Sequence, residues 1–211
     1  MRPRRAGPHP YHHGDLRRAL LREAGRLLRE EGLAARSLRE LARRTGVSAA
    51  APYAHFPDKA ALVAALAEQG FRQLVTALRR AFRAASRDPL RRLTAMTTEY
   101  VRFAVEHPAV FQIMFGPERP VIDAPPELHE AAHDASGVML AAVLDCQHAR
   151  QVEAGDPLQL AVFGWVVIHG LALLLLAGMM PGASQPPTRA EVTRLAQAFM
   201  QRAVSGLAPR G

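Results

Sequence analysis

Two histidines and a glutamate in the middle of the chain have the spacing of a zinc-hydrolase site. His129-Glu130-Ala-Ala-His133 matches the HExxH pattern, in which two histidines one helical turn apart bind the metal and the glutamate activates a water molecule. Asp134 follows where zinc enzymes usually continue with an apolar residue, and the third ligand would have to be a residue such as Glu153, which lies in no supporting motif. We therefore predict no metal, no cofactor and no enzyme activity; a zinc metallohydrolase and a surface metal site are the alternatives.

Positive charge is concentrated at the N-terminal end of the chain. Residues 1–59 contain 13 Arg or Lys against 6 Asp or Glu, whereas residues 60–211 contain 14 against 13. This distribution is typical of a polyanion-binding head on a neutral body, although a solvated basic surface gives the same pattern. A single cysteine, Cys146, excludes an internal disulfide framework and favours a cytoplasmic location.

Apolar residues recur with a helical period along almost the whole chain, and no stretch alternates as a strand would. The sequence therefore predicts an all-α fold of about nine helices. Capping boxes are predicted at Ser37 and Glu40 and at Thr188 and Glu191, while Asp-Pro pairs start two further helices at residues 88 and 156. The predicted helices span approximately residues 15–31, 37–45, 48–56, 58–85, 88–106, 108–115, 126–150, 156–179 and 188–206.

The second and third predicted helices are separated by only a short turn, Thr45-Gly-Val-Ser48. After a longer supporting helix, this is a helix-turn-helix arrangement, in which Gly46 permits the sharp turn and Ser48 is a candidate N-cap. The predicted core of the unit consists of Leu38, Leu41, Ala42, Val47 and Phe56. Together with the local positive charge, the arrangement predicts DNA binding.

Residues 11–66 also carry a specific set of motifs: Gly46-Val47-Ser48, then Tyr53-Ala54-His55-Phe56, then Lys59 at the start of the next helix. In these motifs the segment resembles the DNA-binding domain of the tetracycline-repressor (TetR) family. Further on, WVVIHGLALLLLAG at 165–178 resembles the Trp-His-Gly type of C-terminal domain found in one branch of that family. The resemblance implies a DNA-binding transcriptional regulator, by family default a repressor, with a three-helix DNA-binding domain before a larger helical ligand-binding and dimerisation domain. The predicted organisation is a flexible basic arm at 1–10, the DNA-binding domain at 11–57, the effector-binding and dimerisation domain at 58–207, and a tail at 208–211.

The resemblance implies that Tyr53, His55 and Lys59 bind phosphates and that residues near Arg39, Ala49 and Ala50 approach base edges. Phosphate contacts set the register on DNA, whereas base contacts and DNA shape carry the sequence information. The alternative is that Tyr53 is half-buried core and His55 is a helix-end cap. The predicted DNA-contacting residues are Arg39, Ser48, Ala49, Ala50, Tyr53, His55 and Lys59.

The segment expected to read the bases is unusually rich in alanine. Methyl groups at Ala49 and Ala50 could touch thymine methyls. Pro52 cannot donate a hydrogen bond, so we expect a helix that is short and irregular at its start. We therefore expect sequence specificity to come mainly from Arg39, from the arginines at positions 4 and 5, and from DNA shape.

Residues 158–180 form a run of 23 residues without a charged side chain, which is long enough to cross a bilayer, so a membrane anchor is an alternative. Gln159 and His169 lie inside the run and no basic cluster flanks it, so we predict no membrane partner and a helix buried on most sides instead. The resemblance implies that this helix and residues 188–206 pack against the same helices of a second chain. Such a homodimer would place two heads one DNA turn apart on a palindromic double-stranded operator.

Trp165 and His169 are four residues apart and so share one face of this helix. We predict an apolar pocket with one or two polar anchors, and the alternative is ordinary core. A small apolar effector in this pocket would favour a dimer whose heads no longer match the operator. The residues predicted to line the pocket are Phe103, Phe111, Met114, Phe115, Trp165 and His169.

Overall fold

The computed structural model describes residues 13–31, 37–117, 119, 124–180 and 186–206. This part of the chain is helical and contains no strand, which confirms the predicted all-α fold. The predicted arm at 1–10 and tail at 208–211 lie outside the described residues. The α-helices are α1 (His13–Glu31), α2 (Leu38–Thr45), α3 (Lys59–Ala84), α4 (Pro89–Glu106), α5 (Pro108–Phe115), α6 (Pro126–His148), α7 (Pro157–Leu176) and α8 (Arg189–Gly206).

Most helix starts coincide with the predicted capping residues. The carboxylates of Asp88 and Asp156 each accept a backbone N–H of the first turn, at 2.8 and 2.9 Å, and Asp58 caps α3 in the same way. At α8 the predicted capping box is complete, because Thr188 and Glu191 each accept the backbone N–H of the other, at 3.3 and 2.8 Å. These local bonds fix where the helices begin because they satisfy backbone donors that have no partner within the helix.

The first predicted capping box forms only in part. Ser37 accepts the backbone N–H of Glu40 at 3.5 Å, but the Glu40 carboxylate does not return the bond. It binds Arg43 and Arg44 instead, at 2.6 and 2.7 Å, and these bonds lower the pKa of Glu40 to about 2. Charge-assisted bonds to two guanidinium groups outcompete a single neutral backbone donor.

The predicted third helix at 48–56 is the largest departure from the sequence prediction. Among the described residues this segment contains only a 3₁₀ turn, Ala51–Ala54, with Ala50 rather than Ser48 at its start and no side-chain cap. Its bonds span three residues, as in Tyr53 N–H to Ala50 O at 3.1 Å. Pro52 lacks the N–H that an α-helix would need there, so the expected irregularity extends over the whole segment.

Helix α3 connects the two halves of the molecule as one continuous segment of 26 residues. At its N-terminal end, α1, α2 and the 3₁₀ turn form a small head around the buried Leu41 and Phe56. The residues predicted to form the head core are buried except Val47, which is half-buried. Beyond the head, α4, α5 and α6 pack against α3. Gly46 joins α2 to the 3₁₀ turn in the left-handed region (φ 70°), which glycine adopts without strain.

Helices α3 and α5 approach each other closely at Gly70. A Cβ atom at this position would lie 2.7 Å from Met114 Sδ and 2.9 Å from Val110 Cγ1. Both distances are too short for carbon, so a larger residue would require the side chains of Met114 and Val110 to shift.

We expect Gly70→Ala to lower the free energy of unfolding by about 1–2 kcal/mol, since overpacking outweighs the helix propensity that alanine gains. Gly137→Ala on α6 is the matched control, because nothing lies within 4 Å of its added Cβ; it should raise stability by up to about 1 kcal/mol. Urea unfolding measures both. Equal stabilisation of the two variants would show that α3 and α5 do not pack this closely.

Candidate nucleic-acid interface and aromatic cluster

The head exposes most of the side chains predicted to contact DNA. Arg39, Ser48, Ala49 and Ala50 are exposed, and Tyr53 is 46% exposed. This exposure leaves the Tyr53 hydroxyl accessible to a phosphate oxygen, which it can bind as a donor. Because serine and alanine side chains are small, the backbone between α2 and the 3₁₀ turn is open to close approach.

The arginines of α2 differ in their ion-pair partners. Arg43 and Arg44 are bound to Glu40, and Arg44 also binds Glu31 of α1. The pair with Glu31 connects α2 to α1. Arg39 is exposed and forms no ion pair with a described residue, so its guanidinium is available for the bidentate bonds by which arginine recognises guanine.

His55 and Lys59 lie where the head meets the body. His55 ends the 3₁₀ turn, and its backbone N–H binds Pro52 O at 3.0 Å; its position matches the alternative in which it is a helix-end cap. Its half-buried side chain lines a cleft of about 480 Å³ with Arg17 of α1 and Glu68 of α3. Lys59 is exposed and is the first residue of α3. A phosphate bound by these two residues would therefore contact the helix that runs into the body.

A hydrogen-bonded aromatic cluster joins α7 to α4. The indole N–H of Trp165 donates to the hydroxyl oxygen of Tyr100 at 3.1 Å, and this oxygen lies 2.8 Å from Nδ1 of His169. Because an indole N–H can only donate, the Tyr100 hydrogen is free to be donated to Nδ1. This arrangement favours the neutral His169 tautomer that carries its hydrogen on Nε2.

Burial shifts the pKa values of the two titratable groups of the cluster so that the neutral form of each is favoured. Desolvation raises the pKa of Tyr100, while the bond from Trp165 opposes this rise. Desolvation also lowers the pKa of His169 below its usual 6.5. Both shifts follow because charging a group in apolar surroundings is unfavourable.

The structure brings together some of the predicted pocket residues. The rings of Phe111 and Phe115 lie 5.5 and 4.8 Å from that of His169, and Phe115 lies 6.2 Å from Trp165. These rings fill the space between α4, α5 and α7. The buried Met114 instead faces α3, where it lies against Gly70.

The structure places Phe103 apart from this group. Its ring packs on His107 at 4.8 Å and lines an open cleft of about 540 Å³ between α3 and α4, together with Arg80 and Glu99. Phe103 and Tyr100 are both on α4, three residues apart. The sequence prediction missed Tyr100, whose only signal is a polar hydroxyl within an apolar stripe.

The HExxH residues lie on the surface of α6. His129, Glu130 and His133 are exposed. Among the described residues, the structure forms no group of three or more His, Cys, Asp or Glu side chains that could hold a metal ion. The geometry therefore brings no third ligand from this part of the chain to the two histidines.

Comparisons with known proteins assign the chain to a family. Residues 20–66 match the family model described as bacterial regulatory proteins, tetR family, and residues 93–199 match a tetracyclin repressor-like C-terminal domain. A protein of unknown function from Rhodococcus sp. RHA1 is 37% identical, with a TM-score of 0.82 over 96% of this chain and 100% of its own. No curated protein matches.

More distant solved structures share the fold. The TetR family transcriptional regulator PfmR from Thermus thermophilus is 19% identical, with a TM-score of 0.65 over 90% of this chain and 99% of its own. A bacterial regulatory protein in the tetR family from Rhodococcus RHA1 is 17% identical, with a TM-score of 0.65 over 92% and 98%. The chain belongs to the TetR family of DNA-binding transcriptional regulators. The Trp-His-Gly subtype stays a prediction.

The lowered pKa of His169 predicts a stability that depends on pH. The unfolded chain takes up a proton on this side chain as the pH falls through 6.5, whereas the folded chain resists protonation, so acidification favours unfolding. Urea unfolding between pH 7.5 and 5 should therefore show a smaller loss of stability in His169→Asn, which keeps an acceptor near Nδ1, than in the wild type. The control is His148→Asn at an exposed histidine of α6, and equal losses in all three proteins would contradict the inference.

We expect substitutions of the exposed Arg39 and Lys59 to change DNA binding in different ways. Lys59→Ala should weaken binding to all sequences alike and lower the salt slope by about 1, as expected for one lost phosphate contact. Arg39→Ala should also cost about 1–3 kcal/mol of discrimination at one base pair per half-site. Fluorescence anisotropy with a bound sequence and its single-base variants measures both. The matched control is Arg43→Ala, and uniform losses in Arg39→Ala and Lys59→Ala would contradict this division.

Proposed function

We propose that the chain is a cytoplasmic repressor that binds a palindromic operator as a homodimer and is released by a small apolar ligand. The observation that carries this proposal is the exposed apolar surface of α7. We also propose that the DNA-binding domain ends at residue 57, directly before the cap of α3.

Helix α7 buries only a narrow stripe within its own chain. Over its most apolar stretch, only 28% of the residues are buried within the chain, so burial on most sides would require cover from a second chain. The large exposed side chains of α7 are Leu158, Val162, Phe163, Trp165, Val166, Leu173 and Leu174. A contiguous apolar surface of this kind marks an interface, because its exposure to water is unfavourable.

A second copy of the same two helices is the proposed cover for this surface. Helix α8 packs beside α7 and exposes Phe199. Two such pairs can form a four-helix interface around a twofold axis, in which each chain supplies the same patch. By length and composition α7 is also the one helix of the described residues that could span a membrane. Its contacts with α4, α6 and α8 favour a protein interface.

The aromatic cluster supports the ligand-binding part of the proposal. It combines apolar rings with two polar groups, Tyr100 and His169, next to the exposed face of α7. A ligand that inserted between these rings would displace α5, which contacts both α3 and α1 of the head. Ligand binding would thus move the heads relative to each other and lower the affinity for the operator.

In-vitro selection of bound sequences from random duplex DNA tests the central part of the proposal. We expect a palindromic consensus whose half-sites lie about 10 base pairs apart, one turn of DNA. The affinity for the selected site should fall steeply with salt. Recovery of no consensus, together with a flat salt response, would refute sequence-specific operator binding.

The selected site then permits a test of ligand release. Apolar compounds are screened for a reduced mobility shift of the operator complex, and Tyr100→Phe serves as the variant because it removes the central hydroxyl of the cluster. A compound that binds the cluster should weaken the operator complex of this variant at a different concentration from that needed for the wild-type complex. If no compound weakens the wild-type complex, the ligand-release part of the proposal fails while operator binding stands.

We expect Val166→Asp to convert the dimer into a monomer, because Val166 is 62% exposed on the face of α7 that would be buried and a buried carboxylate without a partner is strongly unfavourable. Operator affinity should fall by more than about tenfold, since one head loses the contribution of the other. Ser136→Asp, at an exposed position of α6, is the matched control. Sedimentation measures the mass, and a dimeric Val166→Asp protein would exclude this interface.

A further inference from the structure

A third cleft lies on the surface of the body, between α3 and α6, and shares no lining residue with the aromatic cluster. It has a volume of about 400 Å³, which is within the range of small-molecule sites. We propose that this cleft binds a small amphiphilic carboxylate, such as a medium-chain fatty acid, at a site separate from the aromatic cluster.

The floor of the cleft is apolar. The half-buried Phe82 of α3 faces Val138 and Ala142 of α6. The guanidinium of Arg92 lies 5.1 Å from the centroid of the Phe82 ring and donates a hydrogen bond to Ser86 O at 3.0 Å. Arg92 therefore helps to hold the ring in place. A fixed ring opposite small side chains leaves room for an alkyl chain or a planar apolar body.

The rim of the cleft supplies positive charge. Arg79 and Arg83 are one turn apart on α3, both line the cleft, and both are exposed. Neither forms an ion pair with a described residue, although Asp134 lines the same cleft; the neighbouring Arg80, in contrast, is bound to Glu99. Two guanidinium groups in the same cleft as an apolar floor match the head and body of an amphiphilic acid, since arginine forms paired bonds with carboxylates.

The opposite rim can contribute a further donor. His133 of α6 lines the cleft next to Asp134. A neutral imidazole retains one N–H that a carboxylate can accept. The charge of Asp134 opposes an anion, but the two arginines outnumber it and the rim is net positive. We therefore expect the cleft to bind carboxylates more tightly than neutral alcohols of the same length. This assigns a role to the exposed histidine of the HExxH pattern that requires no metal.

Isothermal titration calorimetry with decanoate and decanol tests the chemistry of the site in the full chain. We expect decanoate to bind about tenfold or more tightly than decanol, the difference typical of charge-assisted bonds. The double variant Arg79→Gln/Arg83→Gln should bind decanoate no better than decanol. Arg80→Gln removes one positive charge from α3 at a position outside the cleft lining and should keep wild-type affinity. Equal binding of the two ligands to the wild type would overturn the proposal.

A pair of steric variants locates the site. Ala141 is exposed and lines the cleft, so Ala141→Phe should fill the space and abolish decanoate binding. Ser136→Phe places the same ring at an exposed position of α6 outside the cleft lining and should leave binding unchanged. Wild-type binding by Ala141→Phe would place the ligand elsewhere, and this result does not depend on DNA binding.

Discussion

The apolar face that α7 leaves exposed is the least favourable feature of the isolated chain in water. The helix carries no Asp, Glu, Lys or Arg, and its own chain covers only the stripe that includes Ile168 and Leu171. Because apolar surface in water is unfavourable, we propose that a second chain completes the fold. The same helix supplies Trp165 and His169 to the aromatic cluster. Helix α7 would therefore couple the pairing of chains to ligand binding and to the separation of the heads.

The head has a different balance of interactions. Its core is small, the Arg44–Glu31 ion pair connects α2 to α1, and the segment predicted to face DNA is a 3₁₀ turn flanked by small side chains. Such a surface has few groups that can form hydrogen bonds to base edges. We propose that phosphate contacts supply most of the affinity, while specificity comes from Arg39, from close approach of the backbone and from the fixed distance between two heads.

Local signals predicted most of the fold, because capping and proline positions act within one helical turn. Asp88, Asp156 and the Thr188–Glu191 pair start their helices as expected. Ser48 does not, since Pro52 removes the N–H that an α-helix would need there. The site depended on contacts distant in sequence, and there the prediction was poorer. Helical periodicity indicates the face that is buried but not the residue that it meets, so Tyr100, 65 residues before Trp165, was missed.

The mass of the protein–DNA complex on one selected site shows whether α7 brings two heads together on DNA. Sedimentation equilibrium with a labelled duplex gives this mass in solution. We expect two chains per duplex when DNA is present and a free dimer when DNA is absent. A complex of one chain per duplex with undiminished affinity, formed from a monomeric protein, would contradict it.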